Sequence, residues 1–142
     1  MNRFRRGFRK KKVLVVDPDG DFLEGIESGL RRDRFQVYTA KSYQRAARHL
    51  AHFNPDVVVI SLELPGDESD KLVRALRNQD PRSPFPIFIV SGRYIVDQHE
   101  YLRCMLDGGP DLVKPFTARE LSKLIQERHD RSRRLSDLHD RG

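Results

Sequence analysis

An open sheet of five parallel strands with helices on both faces is the fold class that this sequence predicts. Three observations carry the expectation. Short apolar runs rich in β-branched residues recur along the chain, as strands buried on both faces require. A segment with apolar residues at helical spacing follows each run. The strand–helix alternation is completed five times within 142 residues, and right-handed crossovers arrange such a chain as a doubly wound sheet more readily than as a barrel.

The first run, Lys12-Val13-Leu14-Val15-Val16-Asp17, is too short for a helix and fits a central strand. Phe22, Ile26 and Leu30 then fall on one face of a helix. Phe35-Gln36-Val37-Tyr38-Thr39 alternates, as an edge strand would. Ser42 is placed to cap a second helix whose small apolar side is Ala46, Ala47 and Leu50. Pro55-Asp56 opens the run Val57 to Ile60, and Leu64-Pro65-Gly66-Asp67 closes it with turn chemistry. Leu72, Val73 and Leu76 face inward from a third helix. Pro84 and Pro86 introduce the strand Ile87-Phe88-Ile89-Val90. Residues 97–107 are expected to form a helix with Tyr101, Leu102 and Met105 inward, ended by Gly108-Gly109-Pro110. Asp111-Leu112-Val113 is a short fifth strand. Thr117-Ala118-Arg119-Glu120 fits a capping box for the last helix, whose buried face is Leu121, Leu124 and Ile125. The expected strand order is 2-1-3-4-5, a flavodoxin-like sheet, in which sites gather at the carboxyl ends of the strands near the switch point. That rule singles out Asp17 to Asp19, Ser61 to Glu63, Ser91-Gly92 and Lys114-Pro115.

The charge is unevenly spread. The chain carries +6 overall, yet Arg3, Arg5, Arg6, Arg9, Lys10, Lys11 and Lys12 stand at its start with no acid among them. Residues 127–142 balance to +1, which leaves residues 13–126 at −2. The high isoelectric point of about 9.8 therefore belongs to the N-terminal segment and not to the fold. Such a segment suits phosphate groups of nucleic acid or another anionic surface; its plainer role is a flexible, solvating extension. The domain layout is accordingly a basic flexible tail over 1–11, a folded body over 12–127, and a charged extension over 128–142. One cysteine, Cys104, closes no internal disulfide. No apolar run nears the roughly 18–20 residues of a membrane span, and no apolar stretch follows the basic start as in a secretory leader. A cytoplasmic location is the expectation. The five histidines, His49, His52, His99, His129 and His139, show no ligand spacing and are expected at the surface.

From Lys12 to Glu127 the chain resembles a response-regulator receiver domain of two-component signalling. Val13-Leu14-Val15-Val16-Asp17, Pro55-Asp56 with the strand after it, Leu64-Pro65-Gly66, Ile89-Val90-Ser91 and Lys114-Pro115-Phe116 carry the resemblance by order and spacing. It implies a pocket in which two acids after the first strand hold Mg²⁺. An aspartate ending the third strand takes a phosphoryl group, and a hydroxyl and a lysine contact that group. Transferred position by position, the first acid is Asp17, the hydroxyl is Ser91 and the lysine is Lys114. The second acid position is Pro18, and the phosphoacceptor position is Ser61. Asp19 lies one residue late and Glu63 two residues beyond Ser61. Asp56 lies at the opposite end of the same strand, on the order of 16 Å from Ser61 at strand rise.

Serine lacks the acceptor carboxylate and has no evident base beside it, and Mg²⁺ prefers carboxylate oxygens that are missing here. The resemblance thus implies a degenerate pseudo-receiver, not an enzyme, with no cofactor and no tightly bound Mg²⁺. Asp17 then faces Lys114 in a nearly electroneutral pocket, with Ser61 and Ser91 as hydrogen-bonding filler. Partners are expected to be proteins, a second copy included, docked on the helix at 97–107, the fifth strand and the last helix through Tyr94, Tyr101, Leu102 and Asp111. A receiver still phosphorylated through Asp19, Glu63 or a serine, and a nucleic-acid-associated protein using the basic tail, are the alternatives.

Overall fold

Valines and isoleucines without a polar interruption have to be covered on both sides, and the computed structural model does this by sheet pairing and helix packing. It describes residues 9–79, 86–92 and 110–128. Five parallel strands, β1 (Lys12–Val16), β2 (Gln36–Ala40), β3 (Val57–Ser61), β4 (Ile87–Ser91) and β5 (Leu112–Val113), stand in the order β2-β1-β3-β4-β5. Three helices, α1 (Gly20–Arg32), α2 (Tyr43–His52) and α3 (Glu68–Gln79), intervene, and α4 occupies residues 118–128. The fold class and strand order are those the alternation of runs implied. The helix expected at 97–107 and the tail before residue 9 lie outside the described residues.

The sheet separates two apolar clusters. On one side Val13, Val15, Val57, Val59, Phe88 and Val90 pack with Leu23, Ile26 and Leu30 of α1 and Leu121 and Ile125 of α4. On the other, Leu14, Val16, Val58, Ile60 and Ile89 pack with Ala46 of α2 and Leu72, Val73 and Leu76 of α3. The alternation of odd and even positions between the clusters is the period-two geometry of a strand.

Two helix faces differ from expectation. In α1 the fully inward residue is Leu23, and Phe22 is half-buried at the rim, because Leu23, Ile26 and Leu30 follow the i, i+3, i+7 path of one stripe. In α2 Ala46 is buried while Ala47 is exposed; Tyr43 and Leu50, three before and four after Ala46, complete its stripe. The expected caps are present. Ser42 Oγ accepts from the Arg45 amide at 3.2 Å. Thr117 Oγ1 accepts from the Glu120 amide at 3.1 Å while Glu120 Oε1 accepts from the Thr117 amide at 3.3 Å, which is the reciprocal box.

Because β5 has two residues, it leaves part of the β4 edge to side chains. The Ile89 amide donates to Asp111 Oδ2 at 2.7 Å, and Arg128 from α4 donates to Ile87 O at 3.3 Å and to Asp111 Oδ1 at 2.7 Å. The guanidinium also lies 4.1 Å from the centroid of the Phe88 ring.

Two glycines of α1 separate helix propensity from packing. A methyl group on exposed Gly25 meets nothing within 4 Å, whereas one on Gly29 runs into Ala118 Cβ at the start of α4. Gly25→Ala is therefore expected to stabilise the fold by about 0.5–1 kcal/mol through helix propensity. Gly29→Ala is expected to destabilise it, since overpacking costs about 1–3 kcal/mol and exceeds that gain. Urea unfolding of the two variants checks the opposite signs.

Candidate functional site

Strand register brings the expected positions to one edge of the sheet. Val16 pairs with Ile60, Ser61 with Val90, and Ser91 with Val113. Asp17, Ser61, Ser91 and Lys114 thus follow or end neighbouring strands at the same level. The Lys114 amide donates to Ser91 O at 2.8 Å, and the Asp17 amide to Ala40 O at 2.9 Å. Asp17, Ser61 and Ser91 are all buried.

Lys114 is the centre of the arrangement. Its Nζ lies 2.8 Å from Asp17 Oδ2 and 3.1 Å from Glu63 Oε1. The side chains of Asp17, Lys114 and Glu63 are 0%, 16% and 23% exposed, so the cluster deepens toward Asp17. Both contacts are ionic: among the described residues neither Asp17 Oδ2 nor Lys114 Nζ has an aligned hydrogen-bond partner. Nζ also sits 4.0 Å from the centroid of the Phe22 ring, which packs edge-on against Phe116; an aromatic face adds attraction for a cation. The Lys114–Pro115 peptide bond is cis.

The remaining positions have specific tasks. Asp17 Oδ1 accepts from the Asp19 amide at 2.8 Å. Asp19 is exposed and caps α1, accepting from the amides of Asp21 and Phe22, so its carboxylate serves the helix. Pro18 is exposed and offers no side-chain oxygen. Ser61 Oγ accepts from the Glu63 amide at 3.0 Å, and Ser61 O accepts from Ser69 Oγ at 2.7 Å. Ser91 Oγ donates to Gly92 O at 3.1 Å.

This donor set does not fit a Mg²⁺ ion as it stands. Of the carboxylate oxygens facing the strand ends, Asp17 Oδ2 and Glu63 Oε1 are taken by an ammonium and Asp17 Oδ1 by an amide. No group of three or more His, Cys, Asp or Glu residues among the described residues is arranged to hold a metal.

Sequence reasoning singled out Glu63 and Gly92 at the strand ends and Phe22 on a helix face, but missed what each of them does. The expectation of a near-neutral Asp17–Lys114 pair is corrected by Glu63, which brings a second carboxylate to the same ammonium. Gly92 makes room for it: a Cβ there would run into the Glu63 carboxylate, 2.9 Å from its Cδ. Phe22, expected on the buried face of its helix, lies at the rim instead and covers the Lys114 ammonium. The histidine expectation also needs correction. His49 is half-buried, its Nε2 lies 2.9 Å from Thr39 O, and its ring packs tilted against Tyr38 and edge-on against Phe53. A cavity of about 570 Å³ lies to the side of the strand-end cluster, between acidic Asp21, Glu24 and Glu27 of α1 and basic Lys41 and Arg45.

Of the proposed partner face, Asp111 is half-buried and both its oxygens are bonded within the fold, while Tyr94, Tyr101 and Leu102 lie outside the described residues. Of the basic segment, Arg9 and Lys10 are exposed, and Lys12 begins β1, its amide donating to Asp56 Oδ2 at 2.7 Å. Asp56 is thereby fixed at the end of β3 opposite Ser61. No helix among the described residues is long and apolar enough to cross a membrane.

A doubly wound five-stranded sheet with an acid, two hydroxyls and a lysine gathered at its strand ends is the arrangement that the resemblance to a receiver implied. The family model for the response regulator receiver domain matches residues 13–126, and the chain belongs to that family. It is 37% identical over 117 residues to the transcriptional regulatory protein PrrA of Mycobacterium leprae, a match covering 81% of this chain and 48% of that protein. It is 27% identical over 119 residues to the alkaline phosphatase synthesis transcriptional regulatory protein PhoP of Bacillus subtilis, covering 82% of this chain and 47% of the other. The chain thus spans about half the length of these curated relatives. A crystal structure of a receiver domain protein from Clostridium thermocellum superposes with a TM-score of 0.72 at 26% identity, covering 88% of this chain and 98% of that one.

Depth ranks the two carboxylates. Asp17→Ala removes a carboxylate with no solvent exposure but leaves Glu63 on the partly exposed ammonium, and is expected to cost about 1–3 kcal/mol through the buried groups it leaves unpaired. Glu63→Gln, at a partly solvated position, is expected to cost about 0–1 kcal/mol. Chemical denaturation of both variants checks the order; equal losses would contradict it.

Proposed function

We propose that this chain is a pseudo-receiver: a non-enzymatic, cytoplasmic signalling or scaffold module that acts through protein contacts independently of aspartyl phosphorylation. The observation that supports this reading best is Ser61, buried at the end of β3 where receivers carry the phosphoacceptor. A serine there has no carboxylate to attack a phosphodonor. Activating its hydroxyl would need a base, and the hydrogen bond made at Oγ among the described residues comes from a donor, the Glu63 amide. The engagement of Asp17, Asp19 and Glu63 with partners of their own supports the same reading and argues against tight Mg²⁺ binding. Docking, including pairing of two copies, is assigned to the segment 97–107, β5 and α4.

A second reading is favoured by one observation, the seven cations and no acid within residues 1–12. Those charges would bind nucleic-acid phosphates, in keeping with relatives described as transcriptional regulatory proteins. Binding to arbitrary DNA that weakens steeply with salt and vanishes on deletion of residues 1–11 would favour it.

Incubation with acetyl phosphate and Mg²⁺, followed by intact-mass measurement, is expected to give no phosphoryl adduct; a stoichiometric adduct would refute the pseudo-receiver. Millimolar Mg²⁺ is expected to leave the melting temperature where matched Na⁺ leaves it, whereas saturation at 100 times a dissociation constant would add about 2.7 kcal/mol. Ser61→Asp alone is expected to label poorly and to need Pro18→Asp beside it.

A further inference from the structure

We propose that Lys114 is a tethered cation that keeps divalent metals out of the strand-end cluster, and that Glu63, admitted by Gly92, is the positioning residue that holds it there. The inference rests on the pseudo-receiver reading for the site's importance, but its content, a competition between an ammonium and a metal, stands on the geometry. Two carboxylates that share a poorly solvated site repel each other and require a cation. Asp17, with no solvent exposure, and Glu63 both lie within 3.1 Å of Nζ. The ammonium is further held by the Phe22 ring at 4.0 Å.

A metal entering this cluster would have to displace the ammonium and then tolerate it nearby. Its other candidate ligands are already engaged: Asp17 Oδ1 accepts an amide, Asp19 caps α1, and Pro18 has no side-chain oxygen. Glu63 tightens the competition because it adds a second anion to the lysine, and it can do so only while residue 92 lacks a side chain. A Cβ at Gly92 would stand 2.9 Å from Glu63 Cδ and 3.4 Å from its Cγ. The part that gives is the flexible Glu63 side chain, so Gly92→Ala should move Glu63 off the lysine without dismantling the strands. Gly92, Glu63 and Lys114 are therefore one device.

The competition has a direct test in Mn²⁺ binding to the full chain, followed by electron paramagnetic resonance, with melting temperature as a second readout. Wild type is expected to bind Mn²⁺ no better than bulk surface carboxylates do. Lys114→Gln is expected to bind at least tenfold more tightly and to melt higher in Mg²⁺ or Mn²⁺ than in matched Na⁺. Adding Glu63→Gln to it should remove most of that gain. Wild type binding as tightly as Lys114→Gln, or a folded Lys114→Gln that gains nothing, would overturn the proposal.

Should Lys114→Gln not fold, the hold on the amine is read in variants that keep it, by the rate of reductive methylation of Lys114. Glu63→Gln and Gly92→Ala are each expected to raise that rate several-fold over wild type. Unchanged rates in both would overturn the role of Glu63. Phosphoryl transfer to the wild type would defeat the pseudo-receiver reading while leaving these outcomes to decide the metal question separately.

Discussion

A carboxylate with no solvent exposure at the end of a central strand needs a cation, and the rest of this molecule is arranged so that Asp17 has one. Desolvation of an ion costs several kcal/mol, and only close, well-placed opposite charge offsets it. The counter-charge comes from Lys114, just after the last strand, so β1 and β5 have to end at the same level with β3 and β4 between them. The apolar runs set where the strands are; the buried pair makes their common edge a requirement. The same contact positions the chain leaving β5, since Phe116 and the Thr117 cap of α4 follow Lys114 within three residues.

The short fifth strand would otherwise leave a weak flank. An uncovered edge exposes unpaired amides and carbonyls, and here Asp111 and Arg128 supply the hydrogen bonds that further β5 residues would have made. Arg128 comes from the end of α4, so the helix whose Leu121 and Ile125 fill the core also closes the sheet. Core, edge and site are thus tied through α4: Thr117 starts it beside Lys114, and Arg128 ends it against β4.

Most of the fold was legible because strands buried on both faces have no choice but to be continuously apolar, as Val57 to Ile60 are, and because the Thr117–Glu120 box has a fixed spacing. The helix stripes were legible only to within a residue. Phe22 and Leu23 are both apolar, and only the packing phase against Ile26 and Leu30 decides which is inside. The positions of the site followed from the strand-end rule, but their partnerships did not. Nothing in the spacing of Glu63 and Lys114 records that a turn folds one back toward the other, and the role of Gly92 is visible only once a Cβ is built on it. His49 escaped for a similar reason: its contact with Thr39, ten residues earlier, depends on how α2 folds back over β2.

Glu63 shows how far the location of a charge governs its work. A carboxylate at residue 61 would be buried as deeply as the Ser61 that stands there, beside Asp17, and two such anions would need more positive charge than one lysine brings. Two residues later, beyond the strand end, the carboxylate is a quarter exposed and on a longer side chain. Water screens part of its repulsion from Asp17, and its own amide satisfies the Ser61 hydroxyl. One ammonium then suffices for both acids, with the Phe22 ring beneath it. The strand ends are held together by charges that are all part of the chain.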